Sequence, residues 1–254
     1  MMIADMHLHL YPVYDREAAL RGCVQRLAAL APATASLACL TERHDCHAYK
    51  ALLETAAAES GMIANPRYQV LENGRCVAFR PGGGLPPLFV LPGRQIATRE
   101  RLEVLCIGSD AAIPDGEPAE LTIRRIGELD ALPVLAWAVG KWLFGRRRIV
   151  DKLLETFVPD KLLIGDSAMR PVFWPEPAPM RAARRRQYRL LAGSDPLPRA
   201  GDERQAGRYA TRVDAAFDPQ APARSLLTAL ATPSTPVRRL GSRCGLLEFP
   251  GRMR

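Results

Sequence analysis

Lysine is nearly absent from the 254-residue chain: four, at positions 50, 141, 152 and 161, stand among 35 basic residues, so arginine carries almost all of the positive charge. With 27 acidic residues the formal charge is +8. Beside abundant Ala and Pro the skew reads as a compositional bias, and by itself it does not point to a nucleic-acid partner. Histidine is equally scarce, at 7, 9, 44 and 47 only. The six cysteines (23, 39, 46, 76, 106, 244) contain no CxxC pair, and a chain this long needs no disulfide staples, so reduced thiols are expected. The opening stretch lacks the unbroken apolar run of a signal peptide or a membrane span, because Asp5 sits within it and His7 and His9 follow. The reading is a cytoplasmic protein with no membrane partner. Internal repeats and low-complexity tracts are also missing.

What is there is a globular composition, 48% hydrophobic and 24% charged, at a length that suits one α/β barrel as well as two small domains. Met2 to His9 alternates as a strand, with Met2, Ala4, Met6 and Leu8 on one face and Ile3, Asp5, His7 and His9 on the other. Asp15 to Leu30 has helical spacing, Ser36 to Leu40 is a short apolar strand, and Cys46 to Glu59 is helical again. Tyr68 to Phe79 alternates around Asn73-Gly74, a dipeptide that favours a two-residue type I′ turn, which predicts an inserted β-hairpin over 68–79. Leu88 to Ile96 and Leu102 to Ile107 read as strands joined by a short charged turn, followed by a helix over Leu121 to Asp130.

Alternation then resumes: strand Pro133 to Ala138, helix Arg147 to Phe157, strands Lys161 to Gly165 and Tyr188 to Gly193, and a helix near Arg224 to Ala231. Strands followed by helices imply parallel pairing, hence a single barrel domain over 1–254. Two long loops, Asp166 to Pro179 and Asp195 to Gly207, each open on an acidic residue just after a strand, where barrel enzymes keep their chemistry. Pro233 to Gly241 resembles a surface connection.

His7-Leu8-His9 is the strongest chemical signal. Residues i and i+2 of a strand point the same way about 6–7 Å apart, so both imidazoles can converge on one cation, with Asp5 as an orienting carboxylate behind them. A closed barrel brings its first and last strands together, so Asp195, after Gly193-Ser194, completes the set.

The order Asp5-Met6-His7-Leu8-His9, Leu40-Thr41-Glu42-Arg43-His44, Pro92-Gly93-Arg94-Gln95, Leu102-Glu103-Val104-Leu105, Val134-Leu135-Ala136-Trp137 and Gly193-Ser194-Asp195 resembles the motifs of the polymerase and histidinol phosphatase (PHP) superfamily across nearly the whole chain. The resemblance implies a distorted (β/α)7 TIM-like barrel with a metal cluster, commonly trinuclear, at the C-terminal ends of its strands, hydrolysing phosphoesters. His7, His9 and Asp195 match that pattern. Gln95 stands in place of a bridging Glu, Glu103 and Trp137 in place of histidines, Leu197 in place of a final His, and His44 falls one position late. Neutral and apolar side chains cannot balance three divalent ions, so one ion or none is expected, with Zn²⁺, Mn²⁺ and Fe²⁺ all acceptable.

Around it, Asp166 is read as a further ligand, a general base or a loop cap, and Glu103 as a proton-handling group or a solvent-facing one. His44 is a candidate fourth ligand. Arg170, Lys141 and Arg94, just beyond strand ends, are candidates to hold an anionic, phosphorylated substrate, and Trp137 to stack on it or to pack in the core. The expected activity is metal-dependent hydrolysis, a phosphoesterase above all. The alternative is a degenerate barrel that binds a ligand or a partner without catalysis.

Overall fold

A computed structural model describes residues 1–60 and 66–252. The strands are β1 (Met2–Leu8), β2 (Ala35–Glu42), β3 (Tyr68–Leu71), β4 (Cys76–Phe79), β5 (Leu88–Ala97), β6 (Glu103–Ile107), β7 (Leu132–Ala136), β8 (Leu163–Ser167), β9 (Leu190–Gly193), β10 (Tyr209–Val213) and β11 (Val237–Gly241). The helices are α1 (Arg16–Leu30), α2 (Ala48–Glu59), α3 (Ala119–Gly127), α4 (Gly145–Thr156), α5 (Ala178–Arg185), α6 (Pro222–Ala231) and α7 (Glu248–Arg252). Among the described residues no helix is long and apolar enough to cross a membrane.

The strands form a mixed sheet in the order β11-β10-β1-β2-β5-β6-β7-β8-β9, with the β3–β4 hairpin attached to β5. The sheet curls until β9 meets β1. The Asp195 N–H donates to the His7 carbonyl at 2.8 Å, and the Ala192 N–H donates to Thr211 Oγ1 on β10 at 2.7 Å. The result is an α/β fold whose sheet is barrel-shaped and nearly closed.

The pairing is not the all-parallel one that βα alternation implies. β1–β2, β2–β5, β7–β8 and β8–β9 are parallel, but β6 runs antiparallel to both β5 and β7, and β10 antiparallel to β1. The turn from β5 to β6 is too short to hold the crossover helix that a parallel pair requires. β6 therefore delivers its first residue, Glu103, to the end of the barrel where β5 and β7 finish, with Glu103 facing Ala97 and Ala136. The segment from Pro233 is not a plain surface connection either, because Val237–Gly241 is the edge strand β11, paired with β10.

β1 is buried on both faces, and its simple alternation fails near its end. Its pairing with β2 slips between Asp5 and Leu8. Met2, Ala4 and Met6 belong to the barrel interior, whereas Ile3 and Leu8 both pack outward against α1 and α2. An extra residue in a strand reverses the facing of all that follow, so the irregularity sets His7 and His9 on the inner side. At the other end of the barrel, α6 plugs the interior with Leu226, Leu227 and Leu230.

The hairpin forms with Tyr68 opposite Phe79 and Leu71 opposite Cys76, so four residues, not two, make the connection. Glu72, Asn73 and Gly74 all have positive φ (49°, 54° and 90°). That conformation presents the Glu72 carboxylate to the first N–H groups of α6, Ala223 at 2.6 Å and Arg224 at 3.0 Å, which gain a cap that the preceding Ala221 side chain cannot supply.

Candidate metal centre

Three side chains from opposite ends of the sequence converge at the barrel mouth. His7 Nε2 and His9 Nε2 lie 3.1 Å apart, and Asp195 Oδ1 is 3.6 Å from each. Gln95 Oε1, from β5, is 2.7 Å from His7 Nε2. Both histidines are buried. Among the described residues these are the one His/Cys/Asp/Glu group with metal-binding spacing, and no Lys or Arg pairs with Asp195.

The backbone enforces this meeting. A Cβ on Gly193 would lie 2.3 Å from His7 Cβ and 2.4 Å from its amide nitrogen, so only glycine lets β9 come this close to β1. Asp195 itself adopts φ of +49°, a left-handed conformation that turns its side chain back toward the histidines. The Ser167 hydroxyl, at the end of β8, donates to Asp195 Oδ2 at 2.8 Å and leaves Oδ1 toward the imidazoles.

The donor set fits a single divalent ion. A metal with bonds of about 2.0–2.1 Å holds tetrahedral ligands about 3.3 Å apart, and the three separations bracket that value. Burial holds the His9 imidazole below its ordinary pKa against the pull of Asp195, which favours the neutral, ligating form. Burial pushes the Asp195 carboxyl up, but His7, the contact with His9 and the Ser167 hydroxyl together outweigh it and keep the group well below the usual carboxylate range. Two imidazoles and a carboxylate suit Zn²⁺, Mn²⁺ or Fe²⁺.

His9, Asp195, Gln95 and Glu103 open into a cavity of about 480 Å³, walled further by Tyr11, Met169, Arg43, Arg199 and Arg252. Tyr11 stacks on the His9 ring. Glu103 is paired with Lys141 Nζ at 2.8 Å, so these two predicted residues meet at the mouth.

The other predicted residues are elsewhere. Asp166 and Arg170 are buried against each other: Nε and Nη2 of Arg170 donate to the two Asp166 oxygens at 2.7 Å, and Arg170 Nη1 donates to the Trp174 carbonyl. Asp166 also accepts from Tyr209 at 2.9 Å and from Arg239 Nη1 at 2.7 Å. Of the four hydrogen bonds that Asp166 accepts, three fall on Oδ2 and one on Oδ1, so the carboxylate is committed to Arg170, Arg239 and Tyr209 and stands outside the His7/His9/Asp195 group. His44 is on the surface, 3.3 Å from Asp115. Arg94 donates to the Arg43 and Cys46 carbonyls, in a separate hollow shared with His44. Trp137 packs in the core beneath α3 and α4, edge to face with Trp174. Asp5 does not orient the imidazoles; it accepts from the backbone N–H groups of His7, Ser194 and Gly207 and from the Ser194 hydroxyl, tying β1 to the segments after β9.

Sequence reasoning missed Ser167, Tyr11, Arg43, Arg199 and Arg252. Tyr11 and Arg43 sit close to quoted motifs, but nothing in the local sequence marks Arg252, 45 residues beyond the predicted loop's end at Gly207, as a wall of this cavity.

No family model matches the chain, and no curated protein does. Among solved structures it is similar to the crystal structure of PsfC from Pseudomonas syringae PB-5123, with a TM-score of 0.59 and 14% identity over 95% of this chain and 91% of that one. The two share a fold. At that identity the likeness carries no chemistry.

Proposed function

We propose that the protein is a metal-dependent hydrolase of a small anionic substrate, foremost a phosphoesterase, with one divalent ion held by His7, His9 and Asp195 in a PHP-like (β/α)7-type barrel. The observation that carries this reading is the set of three donor atoms, 3.1, 3.6 and 3.6 Å apart, two of whose residues, His9 and Asp195, line a substrate-sized cavity. Bound there, a divalent ion supplies Lewis acidity and acidifies water.

The chain's own groups divide the rest of the work. The Ser167 hydroxyl fixes one oxygen of Asp195, and the opposing positions of β1 and β9 fix the imidazoles, so the donors are pre-positioned. Glu103, which lines the cavity and is held by Lys141 Nζ at 2.8 Å, is the proton acceptor in reach. Asp166 has no part in this. The six cysteines are all buried free thiols, which supports action in the reducing cytoplasm.

The test is turnover of a phosphoester and amide panel by protein stripped with chelator and then reloaded with Zn²⁺, Mn²⁺ or Fe²⁺. Metal-restored hydrolysis that is lost in His7→Ala and His9→Ala supports the reading, and absence of turnover with every metal removes it. A second reading, a barrel that binds its ligand without converting it, is favoured by the neutral Gln95 beside His7 and by the occupation of Asp166 elsewhere. It predicts a stoichiometric metal or ligand with no turnover.

A further inference from the structure

Among the residues that line the cavity, one arginine is in an unusual condition. Arg252 is 4% exposed, yet among the described residues neither its Nε nor its Nη1 has a hydrogen-bond partner. Nη2 alone is engaged, with Asp202 Oδ2 at 2.7 Å. Glu248 Oε1 lies 3.8 Å from Nη1, beyond hydrogen-bond reach, and is held by Arg208. Asp202 is itself divided, since it also accepts from the Leu197 N–H at 2.6 Å and lies 3.5 Å from Arg199. The other buried arginine of this end of the barrel, Arg170, has Nε and both terminal nitrogens engaged, so incomplete pairing is particular to Arg252. A desolvated guanidinium with open donors is costly unless a ligand completes it.

We propose that Arg252, assisted by Arg199 and Arg43, is an oxyanion-binding subsite of the cavity, separate from the metal donors. All three line the same space as His9 and Asp195. Arg199 and Arg43 are partly exposed, Arg199 held by the Gly251 carbonyl at 2.7 Å and lying 3.5 Å from Asp202, whereas Arg252 is buried and fixed by Asp202. The guanidinium's preference for carboxylate and phosphoryl oxygens sets the ligand's chemistry. Combined with the metal-dependent reading above, on which this extension rests, the subsite defines the substrate class: a small molecule with a hydrolysable group at the His7/His9/Asp195 end and a second, non-reacting phosphate or carboxylate at the Arg252 end. The subsite itself does not depend on the metal.

Calorimetric titration of the full chain with inorganic phosphate, and separately with acetate, at constant ionic strength tests it. Wild type is expected to bind one of these anions, Arg252→Gln to bind it at least twentyfold more weakly, and Arg199→Gln about fivefold more weakly. Arg148→Gln, an exposed position on α4, should bind unchanged. Preference for phosphate assigns a phosphoryl group and preference for acetate a carboxylate; either upholds the subsite. Should Arg252→Gln fail to fold, the Arg199→Gln result and anion-induced thermal stabilisation of wild type decide the matter. Absence of binding by wild type, or equal binding by the arginine variants, overturns the proposal. Anion binding by wild-type protein that turns over no substrate with any of the three metals upholds the subsite while the hydrolase reading falls; anion binding that persists in chelator-stripped protein and in His9→Ala shows that the subsite is separate from the metal donors.

Discussion

Asp195 and Asp166 occupy equivalent places in the fold, near the C-terminal ends of adjacent parallel strands, and their surroundings are opposite. Asp166 receives two guanidinium groups and a phenol, one hydrogen bond on Oδ1 and three on Oδ2. Asp195 receives one serine hydroxyl on Oδ2, while Oδ1 faces two imidazole nitrogens. Strand position marks both aspartates as candidates for chemistry, but the partners decide. A carboxylate already neutralised by arginine holds the fold together; one that faces two imidazole nitrogens, with no arginine or lysine on it, could hold a metal ion.

The sharpest contrast comes from removing each charge. Asp166→Asn leaves buried Arg170 without its counter-charge, while Arg239 keeps Glu176, and should cost about 3–5 kcal/mol in denaturant unfolding, with the metal site intact in whatever remains folded. Asp195→Asn should abolish metal retention and, because imidazoles and a hydroxyl hold Asp195 with no arginine or lysine stranded by its loss, destabilise metal-free protein less than Asp166→Asn does. Equal destabilisation by the two would erase the distinction.

Next in size is the proton-handling arm. Glu103→Gln should lower kcat about a hundredfold and leave metal content unchanged, measured by steady-state kinetics beside elemental analysis. Gly193→Ala should cost about 1–3 kcal/mol and reduce metal affinity together with stability, since the added methyl pushes β9 away from His7. The smallest effect is in pH. His9 is held below its unfolded pKa of 6.5, so between pH 7 and 5 the unfolded chain takes up a proton that the folded chain refuses. Metal-free protein should therefore lose stability as the pH falls through that window, and His9→Gln should flatten the slope. Asp166→Asn should not alter it.

How much of this was legible beforehand depended on the distance over which each feature is decided. β1, α1, β2, β5 and the 68–79 hairpin follow from local periodicity and turn chemistry, and the pairing of His7 with His9 follows from strand spacing. Asp195 was reachable because a closing barrel joins first and last strands. The network that holds Asp166 and Arg170 was not legible because it involves Arg239 on β11, 73 residues from Asp166, on a segment with exposed positions and little apolar character. The short charged turn after β5 already required β6 to reverse, and that reversal is what carries Glu103 to the mouth. The slip in β1 leaves no trace in its residue pattern, because both faces are buried and a polar residue there can end on either. Arg252 was invisible for the same reason as Arg239: its burial is a tertiary fact.

The central claim is that His7, His9 and Asp195 surround one divalent ion. Elemental analysis of protein stripped with chelator, reloaded with Zn²⁺, Mn²⁺ or Fe²⁺ and desalted tests it most directly. The account predicts close to one ion per wild-type chain and less than a tenth of that in His9→Ala and in Asp195→Asn. Wild-type protein that retains no ion, or variants that retain as much as wild type, would contradict it.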